Sequence, residues 1–189
     1  MEKERTVPDQ YPLSMNALVL ACNQSSSREP IMTLDEHEVD AAITSIKQQG
    51  FLRVVHPSHG RSVIRYRQVI DEKLALEPEA AAIIAVLLIR GPQTAAELRS
   101  RAERLFAFDS VAQVDTCLHE LEGRSLVRLL ERQHGQKEQR WQQLLADEAE
   151  VAPAPTAVTG AAVAGSVADR VAQLEDRVAK LEAALSDLL

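Results

Sequence analysis

A chain of 189 residues, 46% apolar but only 3% aromatic, accommodates one or two globular domains, and its formal charge of -7 argues against constitutive capture of polyanions. The charge is uneven: residues 147–189 hold eight acids and three bases, so that tail supplies -5 and residues 1–146 only -2. No run of 18 apolar residues exists, residues 1–5 lack the apolar core of a signal peptide, and the cysteines Cys22 and Cys117 form no metal or redox spacing, which together point to the cytoplasm, with no membrane partner and no metal.

The first helix is expected over residues 12–23. Ser14 is its N-cap, and Leu13, Ala17, Leu18, Ala21 and Cys22 share an apolar face. Residues 23–30 form a polar loop with three serines and a proline. Thr33 and Glu36 make a capping box for a helix over residues 34–49, in which Val39, Ala42, Ile43 and Ile46 recur with helical period; Gly50 ends it. Two β-rich runs follow, residues 51–56 and 63–69. The turn between them holds Pro57, Ser58, His59 and Gly60, which predicts a hairpin.

A strongly apolar helix is expected over residues 74–90, with Gly91-Pro92 as its stop. Thr94 and Glu97 form a capping box for a helix running to about Phe106. Asp109 or Ser110 caps the next helix, whose Val114, Cys117, Leu118 and Leu121 lie on one face, and strands over 126–132 and 138–144 close a second ribbon.

These elements repeat. Residues 38–70 slide onto 113–145 without a gap: Val39-Asp40 onto Val114-Asp115, Arg53 onto Arg128, His59-Gly60 onto His134-Gly135, Arg65 onto Arg140, Tyr66 onto Trp141. Pro12 and Pro92 align at an offset of 80, which places the five extra residues of the first copy in the 23–30 loop. A duplication explains this register. Helix, helix, then hairpin is the layout of a winged helix-turn-helix domain. The helix over 74–90 has no full counterpart before position 11, and Thr6-Val7-Pro8 is not helical material. Truncation, a start placed too late, or cover from a partner would account for that, and a missing helix would leave apolar surface exposed on Leu18, Ile43 and their neighbours.

Residues 147–165 are rich in Ala, Pro, Val and Thr without amphipathic period, as in a flexible linker. A heptad follows in residues 166–189. Val171, Val178 and Leu185 take position a; Val167, Leu174, Leu181 and Leu188 take position d. Arg170 and Arg177 each precede a glutamate, Glu175 and Glu182, by five residues, the spacing of an interchain ion pair. That pattern favours a parallel homodimer, with Val171, Leu174, Val178, Leu181, Leu185 and Leu188 as its interface.

Nucleic-acid binding is the sharpest functional reading. The first ribbon carries Arg53, Arg61, Arg65 and Arg67 with no acid; the second carries Arg124, Arg128, Arg132, Lys137 and Arg140 against two acids. Arg99, Arg101 and Arg104 decorate the helix after Thr94. Arginines on a wing suit phosphate contacts, which position a protein without reading sequence. The helices that would enter the groove are acidic: residues 34–50 carry Asp35, Glu36, Glu38 and Asp40 against Lys47, and residues 109–123 carry four acids and no Lys or Arg. Acids there are repelled by phosphates. A protein-binding role with no nucleic-acid contact therefore stands beside the DNA reading. His56 and His59 lack a third metal ligand, and no nucleophile elbow, carboxylate pair or glycine-rich phosphate loop occurs. No cofactor, no small-molecule ligand and no enzyme activity is indicated.

Gln10-Tyr11-Pro12-Leu13-Ser14, Ala21-Cys22-Asn23-Gln24, Arg28-Glu29-Pro30 and Leu88-Ile89-Arg90-Gly91-Pro92-Gln93-Thr94 resemble the signature of the YceH family of bacterial proteins. The resemblance covers roughly residues 3–145. It implies tandem winged helices in a cytoplasmic protein, with a fuller helix before the Tyr-Pro-Leu-Ser motif than this chain has, and it brings no catalytic or ligand residues. The expected architecture is thus mainly α with small β: winged-helix domains over 1–72 and 73–146, a linker over 147–165 and a coiled-coil helix over 166–189. The expected function is regulatory or adaptor, through DNA or a protein partner.

Overall fold

The computed structural model describes residues 1–56, 63–132 and 135–146. These fall in one compact unit, Met1–Ala154; the unit Pro155–Leu189, and with it the expected linker and heptad, lies outside the described residues.

The described chain is mixed, with seven α-helices and two small antiparallel sheets. It opens with α1 (Glu2–Thr6) and a 3-10 turn over Pro8–Gln10, so Thr6 is helical after all. Strand β1 (Leu13–Ser14) leads into α2 (Met15–Cys22), where the Ser14 hydroxyl accepts from the Ala17 amide as expected of its N-cap. Helix α3 (Glu36–Gln48) begins two residues later than Thr33 predicts. Its capping box is Asp35 with Glu38. The cause is long-range: the Asn23 side chain donates to the Leu34 carbonyl and accepts from the Leu34 amide, both at 2.7 Å, which holds Leu34 outside the helix. Gly50, at φ +77°, turns the chain out of α3 into β2 (Leu52–Val55).

Strands β2 and β3 (Arg65–Gln68) form the first ribbon, and β1 adds to the far side of β3, giving the order β1-β3-β2. Helix α4 (Ile70–Leu74) follows and crosses the 72/73 boundary. The expected helix over 74–90 begins only at Pro78, as α5 (Pro78–Arg90). Ala75 adopts a left-handed conformation at φ 45°, and the proline is set at the first helical turn, where its missing amide costs nothing. Helix α6 (Ala95–Ala102) carries the expected Thr94–Glu97 box but stops short of Phe106; α7 (Val111–Gly123) is capped by Ser110. Strands β4 (Val127–Leu129) and β5 (Trp141–Gln143) close the second ribbon.

Helix α5 is apolar all round and correspondingly enclosed: Ala80 to Leu87 are buried against Leu98, Val114, Leu118, Leu121, Val127 and Trp141. The first half has far less interior, with Leu13, Val39, Ile43 and Val69 buried. One turn of α1 stands where α5 gives the second half three and a half. Of the expected surface, the two residues named are covered and neighbours such as Leu20 and Ile46 are open. Ile43 is buried and Leu18 half-buried, whereas Leu20 and Ile31 are 65% and 63% exposed. The halves are tied together by the Glu29 amide on the Ile89 carbonyl and by Arg5 on the Leu105 carbonyl, while Arg124 holds the carbonyls of Leu74 and Ala75 within the second half.

Candidate nucleic-acid interface

The β2–β3 register sets Arg53 opposite Arg67 and Val55 opposite Arg65. Side chains alternate along a strand, so these four project from one face, which is exposed; Val54 and Tyr66 lie on the other. Like charges directly opposed in a sheet repel. The Glu72 carboxylate of α4 relieves this, placing Oε2 3.1 Å from Arg53 Nη1 and Oε1 2.7 Å from Arg67 Nη2. The three side chains are 64%, 44% and 40% exposed, so the bridge is wet and contributes at most about 1 kcal/mol. Arg65, on the same face, is engaged elsewhere. It donates to the Pro12 carbonyl at 2.7 Å and more weakly to that of Gln10.

The second ribbon has the same register and different chemistry. Arg128 faces Gln142, and both Nε and Nη2 of the arginine donate to Gln142 Oε1, at 3.1 and 2.9 Å, in a half-buried pair. Arg140 donates to the Pro92 carbonyl at 2.9 Å and pairs with Glu97 at 3.5 Å. Arg132 and Lys137 are exposed, with no partner among the described residues. Arg61 lies outside the described residues, as do Val171, Leu174, Val178, Leu181, Leu185 and Leu188.

On α6, Arg99 donates to the carbonyls of Phe108 and Asp109, stitching the helix to the loop that follows. Arg101 pairs with Glu97 one turn back, and its buried Nη1 has no hydrogen-bond partner. Partial burial, and then the charge of Arg101, hold the Arg90 guanidinium below its ordinary pKa. Arg53 and Arg67 are thus brought together on one exposed face with Arg65, but Arg65, like Arg99, Arg101, Arg128 and Arg140, is committed to a contact within the fold.

Helices α3 and α7 present Glu36, Glu38, Asp40, Glu120 and Glu122 to solvent. Thr116 and His119, two side chains that could read bases from α7, are turned onto their own helix: Thr116 Oγ1 donates to the Ala112 carbonyl, and His119 Nδ1 lies 2.7 Å from the Asp115 oxygen with its ring edge-on to Trp141. Thr44 and Lys47 on α3 are exposed. Among the described residues no three His, Cys, Asp or Glu side chains are grouped to hold a metal. Burial raises the Cys22 thiol pKa and pushes that of Cys117 up to about 12. No helix among the described residues is long and apolar enough to cross a membrane.

Sequence reasoning missed two residues that organise the first half: one at the ribbon, one at the α1–α2 junction. Glu72, the bridge between Arg53 and Arg67, reads in the sequence as an ordinary helix acid. Arg28, in a loop, has a side chain only 6% exposed and donates to Glu2, Gln24, Ser27 and Ala21.

The model of a protein family described as "Protein of unknown function, DUF480" matches residues 1–136. Bacterial proteins described as UPF0502 proteins are similar over nearly the whole chain. That of Solibacter usitatus is 45% identical over 186 residues, covering 97% of this chain and 88% of its own length. That of Shewanella loihica is 44% identical over 204 residues, covering 100% and 92%, and that of Geotalea uraniireducens 44% identical over 186 residues, covering 95% and 83%.

Proposed function

The chain belongs to the DUF480 family, and we propose that it is a non-enzymatic regulatory or adaptor protein of the cytoplasm, built on two winged helices and able to bind the phosphate backbone of duplex DNA through its first ribbon. The observation that carries this is the exposed ribbon face on which Arg53 and Arg67 stand directly opposed, with Arg65 beside them. Two opposed guanidinium groups on a solvent-facing strand pair serve no packing purpose and suit a polyanion. The winged-helix reading is supported by α2, α3 and β2–β3 recurring in order as α6, α7 and β4–β5. Each ribbon also takes a pairing from the segment before its second helix: Leu13 with Tyr66, and Gln93 with Trp141.

Fluorescence anisotropy against a random-sequence duplex, at low and at physiological salt, tests the proposal. Binding that weakens steeply with salt is expected, with about -0.9 in log–log slope for each phosphate contacted. No binding at low salt overturns it. A second reading, a protein-interaction scaffold, is favoured by one observation: the exposed acids of α3 and α7 lie on the helices that would approach a groove. In either case the heptad of residues 166–189 is proposed to support a homodimer instead of imposing one, since three heptads alone are marginal. Leu174→Lys with Leu181→Lys is expected to halve the sedimenting mass, and an unchanged mass rejects that interface.

A further inference from the structure

We propose that the Arg53–Arg67 pair is a binding slot for one phosphodiester group of duplex DNA, which the Glu72 carboxylate occupies in the free protein. This rests on the DNA-binding reading above and adds to it a specific site with a built-in competitor. The geometry is that of a two-oxygen anion held between two guanidinium groups. One carboxylate oxygen serves each arginine, at 3.1 and 2.7 Å. A phosphodiester also presents two anionic oxygens on one atom, and arginine recognises it by the same forked hydrogen bonding. Glu72 is displaceable: it is 40% exposed and belongs to a helix of only five residues, which ends in the left-handed Ala75.

The duplicated copy supplies the internal control. Arg128 occupies the position of Arg53, and Gln142 that of Arg67. With a neutral amide opposite it, Arg128 is satisfied within the ribbon and half-buried, so the second copy keeps the cross-strand contact and forms no two-arginine slot. A fold that needs only a cross-strand pair at this place is served by Arg with Gln. Two arginines and a bridging acid are the costlier solution, and anion binding accounts for it.

The test is a cycle of variants in the full-length protein, titrated with a random-sequence duplex at low salt. Glu72→Gln is expected to tighten binding roughly two- to fivefold, the equivalent of one exposed ion pair. Arg53→Gln with Arg67→Gln is expected to weaken binding and to flatten the salt dependence by about 0.9 for each phosphate no longer held. In that double variant, adding Glu72→Gln is expected to give no gain. An equal gain in both backgrounds overturns the slot, because Glu72 then acts only as a general repelling charge, while the DNA-binding reading stands. Wild-type binding with no response to Glu72→Gln overturns it likewise. Failure of both wild type and Glu72→Gln to bind brings down the reading and the slot together. Thermal melts establish that the variants fold. If the double variant does not, Arg67→Gln alone, which reproduces the Arg–Gln pair of the second ribbon, carries the cycle.

Discussion

Arg65 donates to the carbonyl oxygen of Pro12 at 2.7 Å, across 53 residues of chain. Arg140 makes the same contact with Pro92, at 2.9 Å. Each arginine ties the second strand of its ribbon, at or just before its first residue, to the segment that leads into the second helix. The two arginines therefore belong to the architecture of the repeat before they belong to any ligand.

Alanine at either position is accordingly expected to cost stability. A hydrogen bond from a charged donor contributes roughly 1.5–3 kcal/mol when sheltered, and less in water. Arg140 is the more enclosed and also meets Glu97, so Arg140→Ala should cost about 2 kcal/mol and the exposed Arg65→Ala about 1 kcal/mol. Urea denaturation of the two variants checks the order. A DNA affinity that falls while stability is unchanged would show that Arg65 acts on phosphate and not on Pro12.

Arg28 is expected to be the most sensitive charged residue of the first half. Its guanidinium is enclosed and serves two carbonyls of the chain, the Gln24 amide oxygen and the Glu2 carboxylate. Removing it takes the guanidinium donors from the Ala21 carbonyl and leaves the Glu2 carboxylate, among the described residues, only Lys3, at 3.9 Å. Arg28→Ala should therefore cost about 3 kcal/mol, and Arg28→Lys should recover little, since an ammonium cannot span those acceptors. A destabilisation under about 1 kcal/mol in calorimetry, the range of an exposed pair, would contradict this account.

Local signals explain what is legible in the sequence. Ser14, the Thr94–Glu97 box and Ser110 are readable because a cap is decided within four residues. The start of α3 is not, because Asn23 restrains Leu34 from eleven residues away. Strand β1 is two residues long and has no periodicity to detect; only its pairing with Tyr66 defines it. The arginines are readable as a set but not by role. Arg128 and Arg140 look like wing cations until Gln142 and Pro92 are seen beside them. One signal is available: Arg65 and Pro12 both recur in the second copy, as structural contacts of a duplicated fold must, whereas Arg67 recurs as Gln142.

Alkaline pH is expected to unfold the protein early. Burial pushes Tyr11 from 10.0 up to about 12 and Cys117 from 9.0 up to about 12. Both groups hold their proton more tightly folded than unfolded, so their stabilisation is complete below pH 9 and diminishes as pH rises from 9 to 12. The urea midpoint should fall over that window. Cys117→Ala, which installs the residue its repeat partner Ala42 already has, should flatten the early part of the fall. An identical pH profile in the variant would assign the alkaline transition to other groups.

The last prediction concerns which surface meets DNA. Asp40 on α3 and Glu120 on α7 are exposed, and in a helix seated in the major groove each would face the phosphates. If binding runs through the first ribbon instead, Asp40→Asn and Glu120→Gln should leave duplex affinity unchanged or tighten it by up to about threefold, as expected from removing one exposed repulsive charge. The tightening should fade at physiological salt, where screening acts over about 8 Å. Competition between specific and random duplexes adds a second readout: phosphate contacts carry no sequence information, so the two should compete alike. Sequence-selective binding that is abolished in Asp40→Asn would place α3 in the groove, with Thr44 and Lys47 as its exposed polar contacts. The same result in Glu120→Gln would require α7 to release Thr116 and His119 from the backbone carbonyls they now engage. That release sacrifices both helix hydrogen bonds and the edge contact of His119 with Trp141, which makes α7 the less favourable reader of the two.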